Sequence, residues 1–316
     1  MRIGIDILGG DYAPEATVAG AILATAQLPP DARLVLIGDE KPIKAICLKH
    51  NFDPAAFDIV HTAVSIGMGE HPAKAFIQRP DASVVLGFRL LAGGKIDGFA
   101  SAGNTGAMMV GAMQVIKSIP GVIRPCIAVT VPRPSAYPLL LLDVGINPDC
   151  NQDELNQYAI LGSIYARQVL GIESPKVGLL NIGEEEGKGN LVTKAAFQLM
   201  KDSTLFNFIG NVEGSDLFSE KADVMVCDGF VGNVMLKQAE AFYFMIRKRR
   251  IVDDFFERFN FENIGGTPVL GINAPVVIGH GISNDVAVKN LILQTADVIK
   301  GNLCQKIKDT FRVCPE

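Results

Sequence analysis

Five short segments of this chain set glycines beside Asn, Asp, Thr, Glu or His at the ends of apolar runs. That composition suits anion binding. Glycine lets a backbone approach a ligand closely, and the N–H groups that open a following helix favour negative charge. Residues 8–14 (LGGDYAP) offer Gly10 and Asp11, as binding residues or as a tight turn with Asp11 for a cap. The dinucleotide spacing G-x-G-x-x-G is absent there. Residues 101–107 (SAGNTGA) hold Asn104 and Thr105 between Gly103 and Gly106, a density of donors that reads as a phosphate-oxygen site more readily than as a polar cap.

Residues 181–190 (NIGEEEGKGN) superficially suggest a P-loop, but G-x-x-x-x-G-K-[ST] is not met. Three successive glutamates would repel a triphosphate. Asn181, Gly183 and Glu184 remain candidates for orienting polar groups or a cation, while Glu186 reads as solvated. Residues 227–233 (CDGFVGN) invite an acyl-cysteine at Cys227. No base accompanies that residue, and it ends the apolar run 224–226, so packing is the expected role. Asp228 and Asn233 are the better candidates for polar contacts. Residues 265–271 precede His280, which stands after an apolar strand and before a glycine. It is placed for an acid, a base or a phosphate donor, or as a satisfied structural His. Neither a Ser-His-Asp set nor G-x-S-x-G can be assembled.

A sixth segment differs in kind. Residues 240–261 carry Arg247, Lys248, Arg249 and Arg250 beside Val252, Phe255, Phe256 and Phe259, which have helical i, i+3, i+4, i+7 spacing. A core or dimer helix explains it, and so does a surface for an acidic protein or an anionic membrane.

The elements that must position these residues alternate. Strands are predicted at 2–7, 33–38, 58–61, 98–101, 127–131, 139–143, 177–181, 206–210, 224–227 and 276–278. Helices are predicted at 14–27, 41–50, 82–92 and 105–116, with 286–299 as the final long one. Strands separated by helices of this length imply crossovers and a mainly parallel sheet. The unbroken apolar run 139–142 fits a strand covered on both faces. No linker divides the chain, so one sheet or two closely joined lobes is expected.

The chain has 316 residues, 48% of them hydrophobic, 7% aromatic and none Trp, so its core must be mostly aliphatic. A net charge of −5 argues against nucleic acid as a partner. The six cysteines form neither CxxC nor metal-ligand spacing, which points to a reducing compartment, and no metal is expected. A strand from the first residues leaves no room for a signal peptide. No uncharged apolar run reaches the ~18 residues of a membrane span.

Taken in order, LGGDYAP, SAGNTGA, LLDVGIN (141–147), GLLNIGEEEGKGN (178–190), GNVEG (210–214), CDGFVGN, GGTPVLG (265–271) and HGIS (280–283) resemble the phosphate acyltransferase family of bacterial phospholipid synthesis, the PlsX family. The resemblance spans nearly the whole chain. It implies a cytoplasmic, membrane-associated homodimer, with residues 1–316 as a single catalytic domain. Such enzymes convert acyl-acyl carrier protein and orthophosphate to acyl phosphate, without a cofactor, for a membrane glycerol-phosphate acyltransferase. The implied fold is α/β, a three-layer α/β/α arrangement around a large mixed, mainly parallel sheet with two intertwined lobes, like isopropylmalate and isocitrate dehydrogenases and phosphotransacetylases. Residues 236–264 correspond to a helical protrusion for dimer, membrane or carrier-protein contact. Two departures stand out. Leu8 and Tyr12 replace the usual Met and His of the opening motif, so a His there is not essential to this chain. The segment between Ala239 and Gly265 is shorter than usual.

Phosphate is a nucleophile at neutral pH and a thiolate is a good leaving group, so no covalent intermediate is required. Residues 103–106 with Gly10 and Asp11 are expected to form the phosphate pocket. Asn181, Asp228 and Asn233 are expected to orient phosphate or the thioester carbonyl, and His280 to donate a hydrogen bond or proton. The alternatives are an acyl-CoA-dependent phosphotransacylase and a non-catalytic, membrane-associated carrier-protein scaffold.

Overall fold

The computed structural model describes residues 1–313; Cys314 lies outside the described residues. The chain divides into two units, each discontinuous in sequence. Met1–Ser118 begins the first unit with β1 (Arg2–Asp6), α1 (Glu15–Thr25), β2 (Arg33–Gly38), α2 (Glu40–Lys49), β3 (Asp58–His61), α3 (Pro72–Gln78), α4 (Ser83–Ala92), β4 (Gly98–Ser101) and α5 (Thr105–Gly111). Ile119–Asn260 then builds the second unit. It contains β5 (Cys126–Val131), β6 (Leu139–Leu142), α6 (Gln152–Gln168), β7 (Lys176–Leu180), α7 (Leu191–Lys201), β8 (Asn207–Val212), β9 (Val224–Val226), α8 (Gly229–Lys248) and α9 (Asp254–Glu257). The chain returns to the first unit for α10 (Phe261–Ile264), β10 (Gly266–Leu270), β11 (Val276–Gly279) and α11 (Asp285–Lys300), and adds α12 (Leu303–Val313) to the second.

In the first unit the strands run β3-β2-β1-β4-β11-β10, parallel except where β10 meets β11. In the second they run β5-β6-β9-β7-β8, parallel except for β5 with β6. The expected mixed, mainly parallel α/β architecture is thus present. Its layering follows from strand alternation. A Cβ on Gly98 would point at Ile299 and Thr295 of α11, whereas its neighbour Phe99 meets the Phe88 ring of α4 edge-on at 5.2 Å. Helices therefore cover both faces of β4. Phe88 and Phe99 are fully buried, worth roughly 1.5–3 kcal/mol each. Leu139–Leu142 is buried throughout, as an unbroken apolar run requires.

Several elements depart from the sequence expectation. The 17-residue α6 was not predicted, although Asn151 and Glu154 form a capping box at its start. Helix α12 follows the one expected to be last. The predicted helix at 105–116 is α only to Gly111, then π over Ala112–Ile116. Val252, Phe255, Phe256 and Phe259 do not share one helix. Helix α8 ends at Lys248, Arg250 takes φ +58°, and Asp253 caps a separate turn at α9.

Candidate functional site

In the first unit, three adjacent parallel strands, β1, β4 and β11, deliver their carboxyl ends to one edge. Ligands bind at such edges because loops there can combine backbone donors from several strands. The β1 loop begins at Asp6, which is 3% exposed. Ser101, at the end of β4, donates its Oγ–H to Asp6 Oδ2 at 2.7 Å and accepts the Gly103 N–H at 2.9 Å. Leu8 N–H donates to Asp6 Oδ1 at 3.1 Å. Burial pushes the Asp6 carboxyl above its ordinary pKa, opposed by donors from Ser83, Ser101, Leu8 and Gly9.

This network draws two glycine loops into contact. A Cβ on Gly9 would lie 2.6 Å from Asp6 Oδ2, 2.6 Å from Ser101 Oγ and 2.8 Å from the Gly103 nitrogen, so only glycine fits. Gly10 takes φ +110°, which L side chains rarely adopt. Asp11 N–H donates to Gly281 O at 2.8 Å, tying the β1 loop to the loop after β11. Gly10, Asp11, Gly103, Thr105, Gly106 and His280 therefore lie on loops at one edge of this unit. The N–H groups of Thr105 and Gly106 occupy the first two positions of α5, where no intrahelical acceptor exists. The His280 ring is exposed, and its Nδ1 accepts the Ile282 N–H at 3.4 Å.

Asn104 has a different task from the one its motif suggests. Its Oδ1 accepts the Ala107 N–H at 3.0 Å, capping α5. Its Nδ2 donates to the carbonyls of Gly67, Met68 and Glu70 at 3.0, 3.2 and 3.2 Å. The amide is thereby committed to holding the chain before α3. Glu70 completes that loop, accepting from Gly67 N–H at 2.7 Å and Arg79 Nη1 at 2.8 Å.

The second unit has its own carboxyl edge, at β6, β9 and β7. Asp143 follows the buried β6 and is itself fully buried. Its Oδ1 accepts from Ile127 N–H at 3.1 Å, and its Oδ2 from Asn147 N–H at 2.7 Å and Asn147 Nδ2 at 3.0 Å. Burial raises this carboxyl too, against those bonds. Asp228 caps α8 through Val231 N–H at 2.8 Å. Asn233 donates to Val144 O at 3.2 Å and so holds the loop after Asp143. Cys227 is 5% exposed, and burial pushes its thiol well above the ordinary value, which leaves no thiolate for nucleophilic work.

The loop after β7 is braced from within. Asn181 Nδ2 reaches Lys188 O at 3.2 Å and Asn211 Oδ1 at 3.1 Å, while Asn211 donates to Glu185 O at 3.0 Å. Gly183 lies against Glu185 and Lys188. Glu184 pairs with Lys221 at 2.7 Å and Glu186 with Lys201 at 3.0 Å. Arg247 and Lys248 are not at this edge: they end the 20-residue α8, about 28 Å along the helix from its start, and Arg249 and Arg250 follow them.

Sequence reasoning missed Asp6 and Ser101 as site organisers, and it gave Asp143 and Asn147 no role of their own. The available signal was an aspartate set into an apolar run and separated from a following glycine by one or two residues, in IGIDILGG and in LLLLDVGIN.

The chain matches the family described as fatty acid synthesis protein over residues 1–306. The phosphate acyltransferase of Dictyoglomus turgidum is 39% identical over 326 residues, covering 97% of this chain and 96% of that protein. The phosphate acyltransferase of Acidobacterium capsulatum is 41% identical over 331 residues, covering 98% and 96%. Among solved structures, the EutD phosphotransacetylase from Staphylococcus aureus matches with a TM-score of 0.65 at 18% identity, over 95% of this chain and 94% of that one. A branched-chain phosphotransacylase from Enterococcus faecalis V583 matches with a TM-score of 0.63 at 16% identity, over 95% and 99%. These two likenesses concern the fold. With relatives near two-fifths identical along almost its full length, the chain belongs to the phosphate acyltransferase (PlsX) family of fatty acid synthesis proteins.

Proposed function

We propose that this chain is an acyltransferase that moves a fatty acyl group from an acyl carrier protein thioester to orthophosphate. The observation that carries this reading is the first unit's edge, where glycine loops from three strands meet the opening N–H groups of α5. Such a cradle suits a small oxyanion. The relatives' shared name, phosphate acyltransferase, agrees with it.

One oxygen of hydrogen phosphate attacks the thioester carbonyl carbon. A C–O bond forms, the C–S bond breaks, and the phosphate proton ends on the carrier thiol. Thr105 and Gly106 N–H groups and Gly10 orient phosphate, and His280 hydrogen-bonds to it. Asp6 and Ser101 set the spacing of the two loops. With Cys227 protonated and buried, direct transfer is favoured over an acyl-cysteine. Asp228, Asn233 and Asn181 shape the second unit's edge, through loops rather than through bare side chains.

The exposed run at Arg247–Arg250 fits an acidic carrier protein, and the exposed apolar side chains Phe242, Phe244 and Met245 fit a second copy or a membrane surface. Among the described residues no helix is long and apolar enough to cross a membrane. A cytoplasmic homodimer touching the membrane peripherally, and passing acyl phosphate to a membrane glycerol-phosphate acyltransferase, is the corresponding assembly.

The test is incubation with palmitoyl-acyl carrier protein, with and without orthophosphate, following thiol release and trapping acyl phosphate with hydroxylamine. Phosphate-dependent release with a trapped product is expected. Equal turnover of palmitoyl-CoA would replace the carrier protein by CoA. Release without phosphate would sink the proposal.

A further inference from the structure

Beside the first unit's polar edge stands an apolar side chain that the phosphate chemistry does not use. Met68 is 45% exposed, yet it is not loose. Its carbonyl accepts Asn104 Nδ2 at 3.2 Å, and the neighbouring carbonyls of Gly67 and Glu70 accept the same amide. Arg79 braces the loop through Glu70 and Ser65 O, both at 2.8 Å. The Met68 methyl rests on Gly281, where an added Cβ would lie only 2.6 Å from Cε. Gly281 is the residue that receives the Asp11 N–H. Tyr12 and Ile282, next in sequence to Asp11 and Gly281, are 56% and 38% exposed. A methionine is adaptable and apolar, and here the loop that carries it is held by five hydrogen bonds, one of them to its own carbonyl, while much of the residue stays exposed.

We infer that Met68 is a specificity-determining residue: it forms an apolar wall beside the phosphate cradle, against which the first carbons of the acyl chain lie. The inference rests on the acyltransferase reading above. It assigns Asn104 a second consequence, because the cap of α5 also sets the height of that wall.

The test compares Met68→Ala, Met68→Gln and Met68→Leu with wild type on acyl carrier protein thioesters of two, eight and sixteen carbons, at saturating orthophosphate. Alanine and glutamine should lower kcat/KM for the longer donors about tenfold relative to the two-carbon donor. Leucine should restore the wild-type ratio, and KM for orthophosphate should stay constant in all variants. An unchanged ratio in an active enzyme, or a uniform loss at every chain length, overturns the inference and leaves the acyltransferase reading standing. A wild type inactive on every thioester overturns both.

Discussion

Asn104 illustrates how much one side chain can carry. It caps α5 with its oxygen and holds three carbonyls with its nitrogen, while being only 8% exposed. Substitution by aspartate keeps the cap and removes the donors. Asn104→Asp should therefore lose most turnover and destabilise the fold more than Asn104→Ala, for which about 1–2 kcal/mol is expected from cap loss alone, because a carboxylate oxygen would face three carbonyl oxygens. Urea titrations and turnover measured on both variants check this, and equal turnover in Asn104→Asp and wild type would show that the loop needs no such clamp. Cys227 gives the opposite expectation. Its thiol is buried and protonated, and its Sγ lies 3.7 Å from the Asp143 carbonyl. Cys227→Ala should keep at least half of wild-type kcat, and the intact thiol should resist iodoacetamide at neutral pH in the folded protein.

At the scale of elements, the connection between β5 and β6 is secured by an ion pair. Arg133 and Asp223 meet at 2.6 Å with side chains 4% and 10% exposed. Arg133 also donates to Tyr137 O and Ala222 O, and its own carbonyl accepts Arg258 Nη1 at 3.0 Å. The pair thus ties the Pro-rich connection to the residue before β9 and to the chain after α9. Removing Arg133 alone takes the charge partner from a buried carboxylate whose Oδ2 still accepts the Lys176 N–H at 2.8 Å, which costs about 3–5 kcal/mol. Arg133→Met should lower the urea midpoint by that equivalent, and Arg133→Met with Asp223→Leu should recover much of it. Failure of the double variant to recover would mean that the hydrogen bonds to backbone, from Arg133 to Tyr137 O and Ala222 O and from Lys176 N–H to Asp223, hold the connection more than the charge pair does. The basic, apolar stretch at 240–261 also changes meaning at this scale. Periodicity placed Val252, Phe255, Phe256 and Phe259 on one helix, but α9 begins only after the Asp253 cap, so Val252 and Phe255 do not share a helical face.

At the scale of the whole molecule, each unit buries an aspartate at the carboxyl end of a strand, Asp6 in one and Asp143 in the other. Burial raises both carboxyls above the unfolded value of about 3.9. Their protonated forms therefore favour the folded state. That contribution is complete below about pH 4 and disappears as pH rises through the folded-state values. Asp143→Asn lacks its share, so the stability difference between wild type and this variant should be larger at about pH 4.5 than at about pH 7.5. Urea unfolding at the two pH values measures it, and a constant difference would mean that Asp143 has the same pKa folded and unfolded.

Much about this protein could be read in order along the chain. Apolar runs of strand length end in glycine beside Asn, Asp or His, and that pattern marked the carboxyl ends of strands in each unit and the family. It works because strand burial, glycine turns and helix starts are local requirements. The partners across space were a different matter. Ser101 reaches Asp6 across 95 positions, and Asn104 reaches Gly67 across 37. Neither pairing leaves a trace in local composition, because parallel crossovers decide which strand ends become neighbours. The same crossovers turned Asn104, Asp228 and Asn233 into caps and loop anchors, and left Met68 half-exposed beside the glycine loops.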